Sequence, residues 1–171
     1  MAIERWSLAF ALASMMAALP TPAHAAHHDD ARASVHQARR GRAPVTLAEA
    51  TSSVDPATTR LGDVIPLLRE DAAAALADID WSALRLSRRY AVSASVVRLE
   101  TTSSGARSLA SACSVSVAVR DVERGTLLFI IEGRARAEDS PDAAARAERD
   151  ALRAAVKSAI AGVPTGLRRA Q

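Results

Sequence analysis

The residue types that most often carry chemistry are few in this chain, and their positions restrict what it can do. The four histidines are His24, His27, His28 and His36, all ahead of the first segment with hydrophobic periodicity. The part of the sequence that can fold therefore has no imidazole, which excludes a Ser-His-Asp or Cys-His pair and any His-ligated metal site there. Cys113 is the only cysteine, so neither an intrachain disulfide nor a thiolate cluster is available. It falls in phase with Val115, Val117 and Val119, the pattern of a small buried hydrophobe rather than a reactive thiolate. Lys157 is the only lysine, and Schiff-base or P-loop chemistry would rest on it alone.

Carboxylates remain. Glu132 is embedded in an apolar strand and followed two residues later by Arg134 on the same face, which reads as a solvated ion pair before it reads as a buried acid. Glu138, Asp139 and Asp142 cluster at a helix start, where an acid complements the helix dipole. One metal hypothesis involves the tail. Cleavage of a signal after Ala25 would leave Ala26, His27 and His28 as a new terminus, whose amine, two amides and third-position imidazole supply four nitrogens for square-planar Cu(II) or Ni(II). No other cofactor is expected.

The signal itself is written in the first residues. Arg5 precedes the apolar run Ser7 to Leu19, and Ala23-His24-Ala25 closes it in the small-x-small manner of a cleavage site. The run is shorter than the roughly 20 residues that span a bilayer, so cleavage rather than a transmembrane anchor is expected. No cysteine follows the cleavage point, so no lipid anchor is expected either, and the product should be periplasmic or extracellular. The formal net charge is +3 among 24% charged residues of both signs, and only Trp81, Tyr90 and Phe129 remain as aromatics after cleavage. That combination does not suit nucleic acid.

Residues 26–57 lack periodicity, are broken by Pro44 and Pro56, and carry the basic cluster Arg39, Arg40 and Arg42; they read as a disordered linker. A folded domain is expected over 58–165. It opens with an amphipathic helix on Leu61, Val64, Ile65, Leu68, Ala72, Ala75, Leu76 and Ile79, capped by Asp63, with Pro66 in the first turn and Trp81 as a lid. Three strands follow. Tyr90, Val92, Ala94 and Val96 alternate, and the phase then slips to Val97 and Leu99, by a bulge or a two-sided strand. Cys113 to Val119 alternate cleanly, and Thr126 to Ala137 follows a hairpin loop in which Gly125 can take positive φ. Ser140-Pro141-Asp142 starts a last helix with the stripe Ala144, Ala147, Ala151, Leu152, Ala155, Val156, Ala159 and Ile160, ended by Gly162-Val163-Pro164. Residues 166–171 are expected as a flexible tail.

The sequence thus predicts an α+β domain, a three-stranded antiparallel meander flanked by two amphipathic helices in the order α-β-β-β-α. Alternation sends Leu128 and Ile130 away from the face that holds Val115, Val117 and Val119, beside Val97 and Leu99. Those four residues form a second apolar patch, covered either by the first helix or by a partner. The functional expectation is an exported, non-enzymatic binding or accessory domain whose partner is another envelope protein. The rivals are a carboxylate-dependent periplasmic enzyme and metal binding by the tail. A catalytic acid should sit in a concave pocket, whereas a binding module should show an exposed apolar strip or sheet edge, so the position of Glu132 discriminates them.

Overall fold

The computed structural model describes residues 44–104 and 107–170. Strand β1 (Val45–Ser52) leads through helix α1 (Ile65–Ala77) to the three long strands β2 (Tyr90–Ser103), β3 (Leu109–Asp121) and β4 (Leu127–Asp139). Helix α2 (Ala144–Ala161) and the short α3 (Val163–Ala170) follow. The strands form one sheet in the order β1-β2-β3-β4. The domain is α+β, as expected, but the sheet is mixed and four-stranded, because β1 joins β2 in parallel while β2, β3 and β4 form the antiparallel meander.

Two sequence expectations are corrected here. Residues 45–52, assigned to the linker, form β1, and its alternation was hard to see because a register shift between Leu47 and Glu49 moves the next buried position to Ala50. The tail assigned to 166–171 belongs through Ala170 to α3, with Leu167 fully buried. Pro164 stops α2 but sits in the first turn of α3, where its missing N–H has no partner to lose.

One core holds the two layers together. Val92, Ala94 and Val96 of β2 and Cys113, Val115, Val117 and Val119 of β3 point to the same side, where Leu68, Ala72, Ala75 and Leu76 of α1 and Ala151, Leu152, Ala155, Val156, Ala159 and Ile160 of α2 pack on them. The alanine stripe of α2 allows a close approach to the sheet, and the tightest point is Gly133 of β4. A Cβ there would lie 2.1 Å from the Ala155 carbonyl oxygen and 2.6 Å from the Ala159 nitrogen. Asp63 accepts the Ile65 N–H at 3.0 Å at the start of α1, Trp81 donates its indole N–H to the Leu76 carbonyl at 3.0 Å, and Gly125 takes φ +65° in the β3–β4 hairpin.

Candidate functional site

Both α1 and α2 pack on the same face of the sheet, so α1 does not cover the other one. That open face is built from the alternate residues of each strand. Glu49, Ser93, Ala118 and Ile130 lie side by side in register, followed by Thr51, Ser95, Ser116 and Glu132, then Arg98, Ser114 and Arg134, then Glu100, Ala112 and Arg136. Small residues on the central strands give it a low floor. Towards one end it is laced by same-strand ion pairs, Arg98 with Glu100, Arg134 with Glu132 at 2.8 Å, and Arg136 with Glu138 at 2.9 Å, all solvent-exposed. At the other end it is apolar, with Leu127 and Ile130 exposed.

The expected patch of Val97, Leu99, Leu128 and Ile130 is only partly assembled. Ile130 is 57% exposed on this face, but Leu128 is half-buried at a second register shift, between Phe129 and Leu127 of β4, and packs against the core. Val97 is 54% exposed but sits at the bulge of β2, beside Ser114 and Val115 rather than Ala118. Three residues along the strand put it roughly 10 Å from the level of Ile130. Leu99 is not on this face. The register shift between Val96 and Arg98 returns it to the core opposite Cys113, at 5% exposure. The phase slip read from the sequence was a bulge, and a bulge restores the original phase.

Beside Leu128 and Ile130 lies a feature that the patch did not include. β4 is an edge strand, with β3 on one side and no strand on the other among the described residues. Leu128, Phe129, Ile130 and Ile131 line a groove of about 630 Å³, closed on its far wall by Gly162, Thr165, Gly166 and Arg169. Four consecutive residues can line one groove only if it follows the strand edge, because successive side chains point to opposite faces. The glycines of the far wall make room: a Cβ on Gly166 would meet the Phe129 ring at 2.6 Å, and one on Gly162 would meet Ile131 at 3.1 Å. The signal in the sequence was the unbroken apolar run 127–131, where a half-buried strand would alternate.

Glu132 lies exposed on the open face, paired with Arg134, not in a pocket. The buried acids are all engaged in tying elements together. Glu148 accepts hydrogen bonds from Thr101 Oγ1 at 2.9 Å and from the Arg60 backbone N–H at 2.8 Å. Asp71 of α1 is gripped by Arg149 and Arg153 of α2. Asp121 receives the backbone N–H groups of Glu123 and Arg124 and the guanidinium of Arg88. Burial acts to raise its pKa, but those donors together hold it below the usual carboxylate value. Burial pushes the Cys113 thiol up to about 12, away from thiolate reactivity. Lys157 lines a cleft of about 220 Å³ between α1 and α2 with Asp78 and four apolar residues. Among the described residues there is no group of acids, histidines or cysteines arranged to hold a metal. Ala26, His27 and His28 lie outside the described residues.

No family model matches the sequence. No curated protein matches it either. Solved structures are similar over about three quarters of the chain. A Xanthomonas campestris protein described by the family designation DUF330 superposes with a TM-score of 0.54 at 12% identity, over 73% of this chain and 85% of the other. A Caulobacter crescentus CB15 protein described as a candidate lipoprotein gives 0.45 at 21% identity, over 74% and 88%. A minor lipoprotein of Acinetobacter baumannii gives 0.38 at 12%, over 72% and 91%. The chain is thus similar in fold to the Xanthomonas protein. In this chain the one cysteine, Cys113, is buried within β3. No helix among the described residues is long and apolar enough to cross a membrane.

Proposed function

We propose that this chain is an exported, non-enzymatic binding module of the bacterial cell envelope, which docks another envelope protein through the apolar end of its open sheet face. The observation that carries this reading is the one-sided sheet: both packed helices lie on one face, and the other presents the exposed Leu127 and Ile130 together at the β4 edge. Exposed apolar residues gathered at one place on a monomer mark interaction surfaces more often than scattered ones do. Export is supported by the Ser7 to Leu19 run and the Ala23-His24-Ala25 site. The carboxylate-enzyme alternative loses its best residue, since Glu132 is solvated and ion-paired.

Site-specific photocrosslinking in the cell tests this reading. A photoreactive residue at position 130 should trap one discrete envelope protein, whereas one at Ala154, exposed on the outer side of α2, should trap none. Equal adducts from both positions, or none from position 130, would reject the open face as the docking surface.

A further inference from the structure

We propose that the groove along the β4 edge takes an extended, acidic segment of a partner protein, which adds to the sheet as a fifth strand. The inference rests on the binding-module reading above and names the chemistry of the occupant. Three features converge on the same stretch of β4. Its outer main-chain N–H and C=O groups have no strand partner among the described residues, and an unpaired edge is a template for another strand. The groove beside it is lined by side chains from both sheet faces, Ile130 on the open one and Leu128, Phe129 and Ile131 packed towards the core. A strand added there would offer alternate side chains to each set, which a compact ligand would not. The charge beside it is positive. Arg169 lines the groove from α3, and Arg120, in register with Leu127, stands on the adjacent strand of the open face. Neither is in an ion pair among the described residues, unlike Arg98, Arg134 and Arg136 further along the same face. The remainder of β4 explains why addition is confined to this end: Glu132, Arg134, Arg136 and Glu138 alternate outward charge along the edge, the usual protection against indiscriminate pairing. An occupant that satisfies all three features is an extended peptide with consecutive apolar residues at its centre, alternately facing each set, and carboxylates at its flanks.

The test uses the mature chain and a library of acetylated heptapeptides with a varied apolar centre, made once with Asp or Glu at both flanks and once with Lys. Selection should recover acid-flanked members only. Arg169→Glu and Arg120→Glu, both exposed substitutions, should each weaken a recovered peptide by roughly tenfold, with unchanged thermal unfolding. N-methylation of alternate peptide amides should abolish binding, and amides of 128–131 should gain protection from hydrogen exchange in the complex. Recovery of Lys-flanked members, indifference to N-methylation, or no recovery at all would overturn strand addition. Binding to phosphatidylglycerol vesicles without peptide selection would overturn it in favour of a lipid surface. If crosslinking from position 130 succeeds while the library fails, the binding-module reading stands and only strand addition falls.

Discussion

Gly133→Ala adds one methyl group at the point where β4 and α2 approach most closely. In a strand interior this change would ordinarily help, since alanine loses less backbone entropy on folding and gains about 0.4–1 kcal/mol through the unfolded state. Here the new Cβ would stand 2.1 Å from the Ala155 carbonyl oxygen, 2.6 Å from the Ala159 nitrogen and 2.8 Å from the Ala159 Cβ. Two of the three are main-chain atoms inside a helix, so no side chain can swing away. Relief requires α2 to lift by about an ångström, which loosens the packing of Leu152, Val156 and Ile160 against the sheet. Overpacking of this kind costs about 1–3 kcal/mol and occasionally more, so the net loss should be about 1–2 kcal/mol after the entropic gain. Urea denaturation followed by the fluorescence of Trp81, the only tryptophan after residue 25, measures it. Gly125→Ala is the comparison: its Cβ meets nothing within 4 Å, and only the backbone at φ +65° resists, by about 1 kcal/mol. A Gly133→Ala protein as stable as the wild type would refute the close approach of helix and sheet.

Three further outcomes follow from the same packing. Cys113, buried with its thiol pKa near 12, should react with a thiol reagent many times more slowly in native buffer than in denaturant, and fast native labelling would place β3 the wrong way round. Leu167→Ala should lower stability by about 2–4 kcal/mol in urea titrations, because α3 is a packed element; a change under about 0.5 kcal/mol would make it the flexible tail. Asp139 is held low by the Arg146 guanidinium and the Ser140 N–H, and Asp121 is held low by its donors against its own burial. A depressed folded-state pKa stabilises above the unfolded value and is lost as pH falls through the folded one, so the urea midpoint should drop as pH falls below about 4. In Asp121→Asn that drop should be smaller, and an unchanged slope would contradict the assignment.

What could be read from the residues divides along periodicity. Cys113, Val115, Val117 and Val119 alternate without interruption because β3 is central and one-sided, and α2 announced its face because eight apolar residues keep a helical stripe. Each failure came from an irregularity that the pattern could not resolve. The slip after Val96 fits either a bulge or a two-sided strand, and only pairing with Ser114 decides that Leu99 goes inward. β1 is short and bulged, its buried positions being Val45 and Ala50, so nothing recurs within it. Gly162-Val163-Pro164 carries the same residues whether a chain ends a helix or turns into another. The candidate site was half legible. The exposure of Ile130 agrees with alternation, Leu128 falls at a register shift that alternation could not show, and the groove depends on α3 crossing beside β4, a tertiary event with no local signature beyond the missing side chains of Gly162 and Gly166.

Ile130→Glu tests the central claim most directly. The side chain is 57% exposed on the open face, so the charge stays in water and stability should change by less than about 0.5 kcal/mol, as for other surface substitutions. The account predicts a variant with wild-type thermal unfolding that no longer captures the envelope protein trapped from position 130. A variant that unfolds would show that the face is covered, and a folded variant that still captures the same protein would show that docking takes place elsewhere.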